Sequence, residues 1–559
     1  MNKDVPMDES SVIATEPPNN NRLSLVLSIT EAGVEALERL GNKLFFGIRE
    51  AKVKILRPHD PNGEDDEADI DDAGKLLDNM QLEAPSTSSP NKNDFSTADF
   101  TVARVELENA KKKPLYKVLQ SIYQEMYEKQ EIVKAVELVF ISALFVQDQK
   151  AIEQILITQY ENFPDRGLYV NTNDPLLANM GRLEYDQWKP LHKKFRPCFT
   201  PNATRYMFPL MQQVCREFVH VLQRSTCGKG NIFEMRDLCS RYAVDVIGNV
   251  VFGLECNSLK DENAKFRYFG DRASEEHFRP LLQFRTKYFD LLKLFNVKYH
   301  SRETSEFFTQ LVKESLEYRE KYNIQRSDFM DILMKIKNDP QDAKDLEITL
   351  DRLVGVTFLF FAAGYNTTST ALCEALYEMA KNPEIQDKAR EEARDTLARH
   401  ENKLTFEAVK EMRYIKQIIM ETLRKYTLLF ATSRYSRRAC TIPTSTGSLT
   451  VEPKTLIIIP NHAINNNPEF HTDPEVFRPE RFDKGVKHPA CTFLPFGDGP
   501  KACPAINFSY VELISCIATL LINFEFSPCD KTPKELIFNK EMLRLSIDNI
   551  FLSVKPLNK

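Results

Sequence analysis

Apolar positions recur along this chain in stretches of two kinds. The run from Leu353 to Met379 is predominantly apolar and predicts a long helix in the core. A second run begins at Ile506 and places Phe508, Val511, Leu513, Ile514, Ile517 and Leu520 at helical spacing. Two shorter segments, AVELVFISALFVQD (Ala135 to Asp148) and SLTVEPKTLIIIP (Ser448 to Pro460), are rich in β-branched residues and predict strands. Glu421 and Arg424, three apart, share one face of another predicted helix. The fold class that follows is mostly α with a small β-region.

The pattern upstream is different. LSLVLSIT, from Leu23, is far shorter than the ~20 apolar residues that span a bilayer, and it lacks signal-peptide flanks. Ser28 and Glu31 have the spacing of a capping box for a small helix within residues 22–57. DPNGEDDEADIDD (Asp60 to Asp72) then carries eight acids and no base, and APSTSSPNKND (Ala84 to Asp94) follows. Both have the composition of a solvated linker, and the acidic run lacks the glycine and glutamate spacing of an EF-hand. Residues 1–113 are therefore expected to form an acidic, poorly ordered extension without a membrane anchor, and residues 114–559 a single folded domain. The net charge of −6 conceals an acidic head on a slightly basic body. With 559 residues and 42% hydrophobic content the chain can bury a large core. Its eleven cysteines are odd in number and form no CxxC pair, which favours a reducing compartment.

Candidate chemistry concentrates in FLPFGDGPKACPA (Phe493 to Ala505), just before the helix at Ile506. Gly497 and Gly499 can adopt positive backbone dihedrals and let the chain approach a flat ligand closely. Cys503 then stands at the start of a helix, where backbone N–H groups and the positive dipole end favour a thiolate able to ligate iron. A buried structural cysteine in a tight turn is the alternative reading of that residue alone.

Three further segments occur in a matching order: YDQWKPLHKKFRPCFT (Tyr185 to Thr200), FFAAGYNTTST (Phe360 to Thr370) and ETLRKYTLLF (Glu421 to Phe430). With the longer strings NFPDRGLYVN (Asn162 to Asn171), YAVDVIGNVVFGLECNSLKD (Tyr242 to Asp261) and DPEVFRPERF (Asp473 to Phe482), they make the chain resemble the cytochrome P-450 superfamily of haem-thiolate monooxygenases. The likeness is to the microsomal group of insect family 6 and vertebrate family 3, and runs from about Pro114 to near the C-terminus.

The resemblance implies that residues 114–559 are a haem-binding catalytic domain, with iron protoporphyrin IX as cofactor, Cys503 as its metal ligand and Phe496 against the ring. It implies that Ala363 and Gly364 open the hydrogen bonding of the long helix beside the iron, and that Thr367 serves oxygen activation there. Asn366 stands where the family usually has an acid, and an amide cannot relay a proton as a carboxylate does. Trp188, His192, Arg434 and Lys501 are implied to hold the haem propionates, with His192 and Lys501 in place of arginines and Ala505 in place of a glycine. Glu421, Arg424 and Arg481 are implied to form a buried structural triad. Thr427, Leu428 and Phe430 replace residues that are often proline.

Implied partners are O2, a small lipophilic substrate and an NADPH-dependent flavoprotein reductase, since no GxGxxG dinucleotide fingerprint occurs in the chain. Lys193, Lys194, Arg196, Lys484, Lys487 and Lys501 are the expected basic docking face for that reductase. Phe360, Phe361, Leu429, Phe430 and the loop Asp174 to Met180 are the expected pocket walls. No nucleic-acid partner is expected. The basic and aromatic segment Phe278 to Tyr299 suits an interfacial helix, and the expected location is the cytosolic face of the endoplasmic reticulum membrane, held peripherally, with the cytosol as alternative. Rival readings are a haem-thiolate isomerase or peroxygenase that needs no reductase, and a degenerate non-catalytic haem protein.

Overall fold

The computed structural model describes residues 94–96, 103–104 and 115–557, except 139–140, 172, 227–230, 278–288, 295, 341–347, 537 and 539–548. The capping box at Ser28 and the acidic run from Asp60 lie outside the described residues. Among the described residues the helices that build the site are α1 (Leu115–Glu128), α2 (Tyr185–Phe195), α3 (Pro201–Thr226), α4 (Met235–Ile247), α5 (Lys265–His277), α6 (Leu350–Lys381), α7 (Arg413–Lys425) and α8 (Ile506–Leu521). The strands are β1 (Asp94–Ser96), β2 (Ala103–Arg104), β3 (Val133–Leu138), β4 (Ile141–Val146), β5 (Asn231–Glu234), β6 (Thr432–Tyr435), β7 (Cys440–Pro443), β8 (Ser448–Val451), β9 (Leu456–Ile459), β10 (Phe524–Pro528) and β11 (Phe551–Pro556).

Each segment expected to supply strands holds two. Ala135 to Asp148 folds as the antiparallel hairpin β3–β4, with Val136 opposite Ala143. Ser448 to Pro460 divides because Pro453 has no N–H for a ladder and Lys454 turns the chain at a φ of 64°. Its halves enter different sheets: β8 joins the order β1-β8-β7, and β9 the order β2-β3-β4-β9-β6. A third sheet has the order β10-β11-β5. Strands β1 and β2, upstream of residue 114, pair in parallel with Ser448–Thr450 and Val136–Glu137, so two short pieces of the expected extension are built into the sheets.

Helix α6 starts where the Thr349 hydroxyl accepts the Arg352 N–H at 3.2 Å. It stops at Asn382, directly before Pro383, which opens the following helix. The helix is α-helical throughout, so the expected opening at Ala363–Gly364 is not a break in its ladder. Gly364 serves packing instead: a Cβ there would lie 2.5 Å from Cδ1 of Ile247, so its absence lets α4 come up against α6.

The aromatic residues of α6 are core rather than pocket wall. Phe360 meets Phe199 at 4.7 Å and Phe329 at 4.3 Å between ring centroids, and Phe361 packs among Phe252, Phe266 and Phe308. Phe430 is likewise buried, as are Leu176 and Leu177, while Asp174 holds the N–H groups of Leu176 and Tyr299. Of the expected walls outside α6, Leu429 is largely exposed.

Among the described residues no helix is long and apolar enough to cross a membrane. In the segment expected to lie at an interface, the described part is a short helix, Phe289–Leu294, with Leu294 exposed and Val297 and Tyr299 buried behind it. The rest of that segment, residues 278–288 and 295, lies outside the described residues.

Candidate active site

The cysteine loop is shaped by its glycines, and they differ. Gly497 and Gly499 both have a φ of 70°. A Cβ on Gly499 would sit 2.0 Å from the carbonyl oxygen of Leu156, whereas one on Gly497 would meet nothing closer than 3.9 Å. Gly499 is thus the point at which the loop is pressed onto the turn Gln154–Thr158. The Cys503 N–H donates to the Phe496 carbonyl at 2.8 Å and closes the loop. Burial pushes the Cys503 thiol up, while the Ala505 N–H and the Arg166 guanidinium pull it down. Ala505 has a φ of −92°, so the position asks nothing of a glycine and the departure there carries no backbone strain. Phe496 is half-buried with its ring edge-to-face against Tyr510 at 5.5 Å.

Glu421 anchors this loop through a chain of bonds. Its carboxylate accepts from buried Arg424 at 2.8 and 2.9 Å, from buried Arg481 Nε at 3.1 Å and from the Arg478 N–H at 3.0 Å. Arg424 in turn donates to the Asn465 carbonyl at 3.2 Å, and Asn465 Oδ1 accepts the Leu494 N–H at 2.9 Å, at the entrance to the cysteine loop. The expected triad is therefore present and its link to the loop is Asn465, a residue no motif singled out. Thr427 donates to the Arg424 carbonyl at 3.0 Å and accepts from Asn465 at 2.8 Å.

Beside the loop lies a group of buried cations. Lys501 Nζ is 3.5 Å from the centroid of Trp188, the chain's single tryptophan, and has no hydrogen-bond partner. His192 stacks on Trp188, with ring centroids 4.5 Å apart. Arg434, fixed by the pairing of β6 with β9, donates only to the neighbouring Ser433 carbonyl, at 2.8 Å. Arg166, which the sequence reading did not single out, donates to the carbonyls of Gly181 at 3.3 Å and Lys501 at 3.2 Å. None of Arg166, Arg434 and Lys501 forms an ion pair among the described residues. Desolvation and the neighbouring Arg166 press Lys501 down to about 6 and Arg434 to about 9. Burial, then Arg196, Lys501 and Arg166, lowers His192 as well. Asp165, the nearby acid, is already engaged by the Tyr185 N–H at 2.7 Å and by Arg437 at 3.8 Å.

Buried cations without anions are costly, because each has lost water and gained no partner. Such a cluster beside a cysteine loop fits a ligand that brings two carboxylates. Haem meets that requirement with its propionates. Lys501 consequently belongs to the interior, at 5% exposure, and not to the docking face expected of it. Lys193, Arg196, Lys484 and Lys487 are exposed.

Helix α6 supplies the other wall. Between Leu353 and Ala380 it is buried except at Leu359, Ala362, Ala363, Gly364 and Thr367; Gly364 is turned toward Ile247, and Ala363 and Thr367, four apart, form an open stripe. Ala363 is the most open, and Thr367 donates its hydroxyl to the Ala363 carbonyl. Asn366 is turned the other way. At 4% exposure it accepts from Arg236 at 3.1 Å and donates to Ser274, so it joins α6 to α4 and α5. Arg236 also donates to Ser369 at 2.8 Å. Among the described residues no hydrogen bond or ring contact joins the α6 set to the cysteine-loop set.

A family model described as "Cytochrome P450" matches residues 107–554. Among curated proteins of Drosophila melanogaster, the chain is 37% identical to "Probable cytochrome P450 6a18" over 439 residues, covering 76% of this chain and 86% of that one. It is 35% identical to "Cytochrome P450 6a8" over 456 residues, 78% and 89% of the two chains. Residues 107–554, matched by the family model, hold the glycine loop, the buried triad, the cation cluster and the open stripe of α6, and the chain belongs to the cytochrome P450 family.

Proposed function

We propose that this monooxygenase inserts one oxygen atom of O2 into a small lipophilic substrate, with electrons from NADPH delivered by a flavoprotein reductase. The observation that carries the reading is the pairing of an intact cysteine loop with buried Arg434 and Lys501 and half-buried Arg166, none of which forms an ion pair among the described residues. Cys503 is the thiolate ligand in this reading, and Arg166, Arg434, Lys501 and Trp188 hold the propionate side. When bound, thiolate-ligated haem activates dioxygen with two electrons and two protons and releases water. The chain's own contributions are to exclude water from the aromatic core beside α6, to orient the Thr367 hydroxyl through the Ala363 carbonyl, and to keep the ligand loop rigid through Glu421.

Residues 114–559 act as the catalytic domain, with β1 and β2 as its upstream ties. Exposed Lys193, Arg196, Lys484 and Lys487 suit an acidic reductase. Exposed Leu294 beside Lys293 supports peripheral contact with the endoplasmic reticulum surface. Reduced protein treated with carbon monoxide should show the Soret band of thiolate ligation, and Cys503→Ser should lose it. A wild-type protein without haem would overturn the reading.

A further inference from the structure

Glu374 is the anomaly of α6. It is fully buried, and among the described residues neither of its carboxyl oxygens has a hydrogen-bond partner. Buried polar atoms are almost always paired, so an orphan carboxyl at the centre of a long helix calls for a reason. Thr367, Thr370 and Glu374 stand at i, i+3 and i+7, on one face of α6, so a hydroxyl lies between the open stripe and the carboxyl. Two turns, about 11 Å, separate the ends.

The other side of Glu374 leads outward. One turn on, Glu378 accepts from Lys425 Nζ at 2.9 Å and from the Tyr426 hydroxyl. Lys425 is 19% exposed and Glu378 only 2%, so the ion pair reaches from the interior to solvent. Glu378 has a cation partner in Lys425. Glu374 has none: desolvation raises its pKa well above 4.5, Cys373 and Glu378 add to that, and Arg236 across on α4 opposes it. Two carboxyls one turn apart thus differ in their partners: Glu378 has an ammonium and a hydroxyl, and among the described residues Glu374 has neither.

We propose that Glu374 is a proton donor for oxygen reduction, passing its proton along α6 by way of Thr370 toward Thr367 and recovering one from solvent through Lys425, Glu378 and Tyr426. Each turnover takes two electrons from NADPH and two protons, places one oxygen atom in substrate and releases the other as water. This route serves the end of the helix that Asn366, anchored on Arg236 and Ser274, does not serve. It rests on the monooxygenase reading above.

The test uses full-length protein loaded with haem, a purified NADPH-dependent flavoprotein reductase, and 7-ethoxycoumarin as the lipophilic probe. NADPH and oxygen consumption and hydrogen peroxide release are followed together. Glu374→Gln should keep the carbon monoxide band yet send about tenfold more of the oxygen into peroxide. Glu374→Asp, a poorer fit but still an acid, should stay nearer the wild type than the isosteric amide does. A merely structural role predicts the opposite ranking. Lys425→Met, on the surface side of the route, should raise peroxide less, and it decides the matter if Glu374→Gln fails to hold haem. Wild-type peroxide shares in variants of normal haem content would overturn the proposal. A wild type that holds haem but drives no NADPH-dependent oxygen consumption would overturn the monooxygenase reading itself.

Discussion

Two glutamates in this molecule are equally buried and oppositely treated. Glu421, on α7, receives donors from Arg424, Arg481 and the Arg478 backbone. Glu374, on α6, receives none. The first belongs to the side that holds the ligand loop, where both carboxylate oxygens accept hydrogen bonds and the geometry is fixed. The second belongs to the side that faces the chemistry, where an unengaged group remains free to exchange a proton. The difference teaches that burial alone does not assign a role: a satisfied buried charge is scaffold, whereas an orphaned one carries a cost that stability does not explain.

The largest effect should come from breaking the satisfied side. Glu421→Ala leaves Arg424 and Arg481 buried without their carboxylate, at a cost of ~3 to 5 kcal/mol, and should abolish stable haem incorporation; haem absorbance per mole of purified protein measures it, and a normal ratio would contradict the scaffold role. Next is Gly499→Ala, in which the methyl must displace the Leu156 carbonyl as well as strain a positive φ. A loss of about 3 kcal/mol is expected, against about 1 kcal/mol for Gly497→Ala, where only the φ is strained. Denaturant unfolding of the two variants should separate them.

On the unsatisfied side the sign reverses. Glu374→Met removes an orphan carboxyl and should stabilise the fold by about 2 kcal/mol at neutral pH. Glu374 keeps its proton to higher pH in the folded state than its ordinary 4.5 in the unfolded chain, so above 4.5 the folded state binds more protons and stability falls as pH rises. That slope should be shallower in Glu374→Met, as urea unfolding at several pH values can show. The smallest effect is Ala505→Gly. Because Ala505 already has an ordinary negative φ, restoring the usual glycine should lower stability by about 0.5 kcal/mol or less and leave haem content unchanged.

The residues that were legible are those whose role is fixed by their immediate neighbours in the chain. Cys503 sits between glycines and a helix start, and Glu421 and Arg424 share a face at a spacing of three. The residues that were missed, Arg166, Asn465 and Glu374, acquire their roles only from segments far away: Arg166 from the Lys501 carbonyl, Asn465 from Leu494, Glu374 from the absence of anything opposite it. Phe360 and Phe361 were misplaced for the same reason. Helical spacing says which residues share a face, and not whether that face meets a ligand or another ring.

The chain by itself determined the helical class, the long helix from Leu353, the ligand loop and the triad, because these depend on local periodicity, backbone freedom and short spacings. Tertiary structure alone decided that Lys501 is an interior cation and not a docking charge, that Asn366 turns toward Arg236 and away from the open stripe, and that Glu374 is left without a partner. Burial and partnership are properties of the space between elements, and no single stretch of sequence contains that space.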